Sequence, residues 1–106
     1  MSIDQFMLLI CDLYEMDEYY PPLVVKYKKD FYRASYRQWA IQELKDFIVY
    51  RLSPRKEASV EDLIHITRNF IDIATGYSKI NKRNSCMFKV ASDIGVDVMD
   101  FLIAMR

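Results

Sequence analysis

The sequence predicts an all-α protein, a compact bundle of four or possibly five amphipathic helices that run largely antiparallel and up-and-down. Apolar residues recur at steps of three and four along most of the 106 residues. The chain has only two glycines and three prolines, so few points can interrupt a helix. Hydrophobic residues make up 52% of the composition, enough for the core of one domain over residues 1–106.

The first predicted helix opens with a capping box, Ser2 followed by Gln5, and runs to about Met16. One face of it is apolar and includes Phe6 and Ile10. Pro21 and Pro22 then end it. Residues 22–34 carry a mixed pattern that fits a helix or an extended segment, of which we favour the helix.

Three clearer helices follow. The first begins near Ser35 and ends before Ser53-Pro54. The second starts after the cap Ser59 and spans about 60–77, with Gly76 either ending it or lying inside it. Residues 78–85 are polar and basic, which predicts a loop. A last helix, capped by Asn84 or Ser85, carries an acidic stripe and the small residues Ala91 and Gly95, which would let a neighbouring backbone come close.

The side chains available for chemistry are few. Cys11 and Cys86 are far apart in sequence and His65 is the single histidine, so no metal site and no cofactor are expected. Cys86 lies at a helix N-terminus near basic residues, but the helix arrangement places His65 too far away to act as its base. Asp93, Asp97 and Asp100 are interpreted as a solvated face. No catalytic residue is expected, and the chain is predicted not to be an enzyme.

Charge is balanced overall, with 15 Lys and Arg against 15 Asp and Glu, but it is unevenly distributed. Antiparallel helices would bring two basic segments to one end of the bundle. The candidate patch for an anionic partner consists of Lys26, Lys28, Lys29, Arg33, Arg37, Lys79, Lys82, Arg83 and Lys89. The candidate aromatic contacts are Tyr32, Tyr36, Trp39 and Tyr50. Glu15, Asp17 and Glu18 would reach the same end and could mask the patch.

Two functions fit these patterns. The leading one is a small cytoplasmic module that binds protein, with self-association as a homodimer the favoured case, because two helices carry more apolar surface than a four-helix monomer covers. The alternative is a nucleic-acid-binding or regulatory protein that uses the basic-aromatic end. The pI of about 6.6 argues against it, since nucleic-acid-binding domains are usually strongly basic. No run of about 18 apolar residues occurs, so no membrane association is expected.

Overall fold

The computed structural model describes residues 1–13 and 28–106, with side chains described for residues 1–12 and 36–106. This part of the chain is mostly helical, as the sequence predicts. The four helices are α1 (Ile3–Leu13), α2 (Lys28–Leu52), α3 (Val60–Ile80) and α4 (Ser85–Met105). The predicted end of the first helix near Met16 and the two prolines lie outside the described residues.

Helix α2 corrects one predicted boundary. The helix expected to begin near Ser35 already includes Lys28, so residues 28–34 are helical and continuous with it. No glycine or proline occurs between residues 28 and 52, so nothing in the backbone forces a break. The predicted end at Leu52, before Ser53-Pro54, is confirmed.

Helix α3 begins as predicted and ends later. The Asp62 backbone N–H donates to Ser59 Oγ at 3.1 Å, which confirms the cap. The hydrogen bonds of Asp62 to Ser59 hold the pKa of the Asp62 carboxyl below its ordinary value, and the Arg55 guanidinium 3.2 Å away acts in the same direction. At pH values above the ordinary pKa, the charged Asp62 therefore stabilises the folded state. This contribution to the free energy of unfolding is lost as the pH falls through the lowered pKa.

Gly76 lies inside α3 and does not end it. Its φ is not positive, so the left-handed cap does not form, and the helix continues to Ile80. Residues 78–80, predicted as the start of a loop, therefore belong to α3. Ser78 Oγ donates to the Thr75 carbonyl at 2.7 Å, which places this polar side chain on the helix without breaking it.

The helix pair α3 and α4 is held by three contacts spread along its length. Arg106 Nε lies 2.7 Å from Glu61 Oε1, and the hydroxyls of Thr75 and Ser92 are 2.9 Å apart. Between them, Gly95 lies against the side chain of Ile71. Residue numbers in α4 thus rise as those in α3 fall. Gly95 thus allows a close contact with α3, but the nearest atoms are side-chain atoms of Ile71 and Phe70 rather than the backbone that the sequence predicted.

The core includes side chains from all four helices. Phe6 and Ile10 of α1, Leu44 of α2, Leu63 of α3 and Val98 of α4 are among its fully buried members. The hydroxyl of Thr67 is buried with them and has no hydrogen-bond partner among the described residues, an arrangement that costs about 1–3 kcal/mol.

The N-terminus adds a feature that the sequence did not predict. Ser2 pairs with Glu57 in an isolated antiparallel bridge, and the Met1 ammonium donates to the Ala58 carbonyl at 3.0 Å. The capping role of Ser2 is confirmed on one side, since the Gln5 backbone N–H donates to Ser2 Oγ at 3.3 Å. These bonds tie α1 to the connection between α2 and α3.

Candidate functional site: an aromatic groove

A surface groove lies between α2, α3 and α4, with a cavity volume of about 330 Å³. We call it the aromatic groove and define it by six side chains that line it: Trp39, Phe47, Tyr50, Ile73, Tyr77 and Phe88. A concave apolar site of this size is of the kind that binds ligands or partner side chains.

The spacing of the groove residues along each helix explains why their side chains lie on the same side of it. On α2 the spacing is eight residues from Trp39 to Phe47 and three from Phe47 to Tyr50. These three side chains therefore share the face of α2 that lies toward α3 and α4. Ile73 and Tyr77 are four residues apart on α3 and therefore lie side by side. Phe88 lies in the first turns of α4 and closes the end of the groove near the α3–α4 connection.

Ring contacts fix the walls of the groove. The ring of Phe88 meets Trp39 edge to face, with centroids 5.8 Å apart, and stacks on Tyr77 at 5.2 Å. Deeper in, the Phe47 and Phe70 centroids are 5.7 Å apart. Aromatic pairs at these distances stabilise by roughly 0.5–1.5 kcal/mol beyond their burial. The groove is therefore built into the folded chain.

The groove remains accessible despite its apolar lining. Tyr50 is 80% exposed, Tyr77 49% and Ile73 47%. Ile73 and Tyr77 lie where α2 and α4 do not cover α3 completely. Large apolar side chains left open beside each other on neighbouring helices are typical of an interaction surface.

Two carboxylates, Glu43 and Asp46, also line the groove. Asp46 Oδ1 accepts a hydrogen bond from Gln42 Nε2 at 2.8 Å. The Arg51 guanidinium lies 5.5 Å from the centroid of the Phe47 ring, within the range of a cation–π contact. The groove thus combines an apolar floor with negative charge on its α2 side.

The structure places the predicted site residues in three groups. Trp39 and Tyr50 lie in the aromatic groove, whereas Tyr36 and Arg37 are half-buried on α2 outside it. Exposed bases surround the α3–α4 connection, namely Lys79, Lys82, Arg83 and Lys89. The remaining residues have no described side chains, namely Lys26, Lys28, Lys29, Tyr32 and Arg33.

The predicted basic patch stays a prediction, because most of its α2 residues have no described side chains. The contact between Trp39 and Phe88 brings the α2 residues around position 39 next to the start of α4. Glu15, Asp17 and Glu18 lie outside the described residues, so masking by them stays a prediction. Nucleic-acid binding by this end also stays a prediction.

The titratable side chains of the described helices form no evident catalytic cluster. His65 and Cys86 are both exposed, one near the start of α3 and the other at the start of α4. Since α3 and α4 run in opposite directions, these two residues belong to opposite ends of the pair. Within residues 1–13 and 28–106, no three His, Cys, Asp or Glu residues are grouped to hold a metal ion. Cys11 is half-buried, and Lys45 Nζ lies 3.4 Å from its Sγ.

Comparison with known proteins leaves the geometry as the guide to function. Neither the protein-family models, nor the curated proteins, nor the solved structures contain a match to this chain. None of the helices in the described ranges is long and apolar enough to cross a membrane.

Proposed function

We propose that this chain is a small non-enzymatic, cytoplasmic helical module that acts by binding protein, and that a second copy of itself is the partner. The observation that carries the proposal is the aromatic groove, which leaves Tyr50, Ile73 and Tyr77 open to water. Covering apolar surface of this kind stabilises a complex by roughly 25 cal/mol per Å² before the cost of association.

The extent of the apolar surface favours a protein over a small molecule. Beyond the groove, α3 continues with Ile80, which is 76% exposed at the end of the helix. The apolar surface therefore extends along α3 from the groove to the helix end. A helix of a partner protein would cover such an elongated surface, because helix-in-groove binding uses residues spaced along several turns.

The non-enzymatic part of the proposal is supported by the placement of the reactive groups. Cys86 and His65 lie at opposite ends of the α3–α4 pair, and the groove that Glu43 and Asp46 line contains no Ser, Cys or His side chain among the described residues. Both cysteines are free thiols, which supports a reducing, cytoplasmic setting. A largely antiparallel bundle is also part of the proposal, supported by the contacts that pair α3 with α4.

Sedimentation velocity of the full chain tests self-association. At concentrations of about 10–100 µM, where a micromolar dimer is populated, we expect a species with twice the chain mass of 12.7 kDa. The dimer should dissociate on dilution, because its population depends on concentration. A single 12.7 kDa species at every concentration would remove self-association from the proposal.

A further inference from the structure

The exposed side of α3 carries a continuous stripe that the other described residues leave open to solvent. We call Ile73, Gly76, Tyr77 and Ile80 the α3 stripe. At 100° per residue these four positions fall within about 100° of the helix circumference. Three of them are large and apolar, with exposures between 47% and 76%. The stripe borders the aromatic groove, because Ile73 and Tyr77 belong to both.

Within the part of the chain that the structure describes, no contact of Gly76 requires a glycine. A Cβ built on Gly76 has no described atom within 4 Å, and the φ of Gly76 is not positive. A glycine inside a helix costs about 1 kcal/mol relative to alanine. Gly95 differs, because its missing side chain makes room for Ile71. The open space at Gly76 faces outward, where a small residue lets a second helix approach closely.

The charged residues beside the α3 stripe are placed so that they would complement the same residues of a second copy. Asp72 lies one turn before Gly76 and Lys79 almost one turn after it, and both are exposed on the same side of α3. With a rise of 1.5 Å per residue, Asp72 lies about 6 Å from Gly76 along the axis and Lys79 about 4.5 Å in the other direction. A two-fold rotation about Gly76 reverses α3 and sets each Asp72 opposite the other copy's Lys79.

We propose that two copies of this chain pair through α3, which crosses α3 of the partner antiparallel at Gly76. In this arrangement Ile80 of the partner subunit enters the aromatic groove beside Ile73, and Asp72 pairs with Lys79 of the partner subunit. The interface is isologous, so each contact occurs twice. This inference rests on the proposed self-association and specifies which surface performs it.

Disulfide trapping tests the crossing point in a chain that carries Cys11→Ser and Cys86→Ser. Gly76→Cys should form a covalent dimer under mild oxidation, since a crossing at Gly76 brings its two copies within the roughly 4.4–6.8 Å between Cα atoms that a disulfide needs. Ile80→Cys is the matched control. Its two copies would be separated by about 12 Å along the axis and should cross-link at least tenfold less.

Charge reversal supplies a second readout that leaves Gly76 in place. Asp72→Lys and Lys79→Asp should each weaken the dimer about tenfold, because symmetry places two like-charge pairs in each variant dimer. The double variant should recover most of the affinity, and Asp100→Lys, an exposed change on α4, should have little effect.

The outcomes separate the two proposals. A wild-type dimer in which Gly76→Cys cross-links no better than Ile80→Cys, and in which the double variant gives no recovery, would overturn the α3 crossing but leave self-association standing. A wild-type chain that stays a monomer would overturn both.

Discussion

Replacing Gly95 with valine should lower the free energy of unfolding by about 3 kcal/mol, at the upper end of the usual cost of overpacking a core. A Cβ at this position would lie 2.6 Å from Ile71 Cγ1 and 3.3 Å from Phe70 Cδ1. Valine adds two further methyl groups at the same point. Because Gly95 is a buried residue of α4 that packs against α3, the new methyl groups must force Ile71 and Phe70 from their positions or displace one helix from the other.

Urea unfolding followed by far-UV circular dichroism measures this effect, at one protein concentration for all variants. Ala104→Val is the matched control, since it introduces valine at an exposed position of the same helix and should change stability by less than about 0.5 kcal/mol. Equal stability of Gly95→Val and the wild type would show that α4 does not pack against Ile71 as described.

Replacing Ile73 with glutamate should weaken self-association about 100-fold, which corresponds to roughly 2.7 kcal/mol. Ile73 lines the aromatic groove together with Glu43 and Asp46, so the new carboxylate would be covered on association beside two others. Burying an unpaired charge in an apolar contact is costly. In the monomer, Ile73 is 47% exposed, so the new side chain can reach water and the fold should persist.

The matched control is Ile103→Glu, which changes an isoleucine of similar exposure, 43%, on α4 outside the groove. Sedimentation velocity should show the Ile103 variant associating like the wild type and the Ile73 variant as a monomer. Circular dichroism of both variants checks that the helices are intact. Equal loss of association in the two variants would argue against the groove as the contact surface.

The elements of the fold that local chemistry determines could be predicted from the sequence. Ser59 identified the start of α3, Ser53-Pro54 the end of α2, and the small residue Gly95 the close contact between α3 and α4. The end of α3 was predicted too early, because Gly76 and the polar residues after it are compatible with a helix when the next turn forms its hydrogen bonds.

The site was harder to predict for a physical reason. Periodicity predicts the helix but does not tell which part of its apolar face the neighbouring helices cover. Trp39 and Tyr50 were predicted as aromatic contacts, whereas the contribution of Phe88 depends on where α4 begins relative to α2. The volume between three helices is a tertiary property, and the signal for it in the sequence is only the surplus of apolar residues.

The central claim is that a second copy of the chain covers the aromatic groove, and fluorescence of Trp39 tests it most directly. Trp39 is the single tryptophan of the chain and lines the groove. We predict that acrylamide quenching of Trp39 decreases, and its emission shifts to the blue, as the protein concentration rises from about 1 to 100 µM. The Ile73→Glu variant should show this change only at about 100-fold higher protein concentrations. Quenching that stays the same across this range while the protein dimerises would contradict the claim, because the groove would then be open in both species.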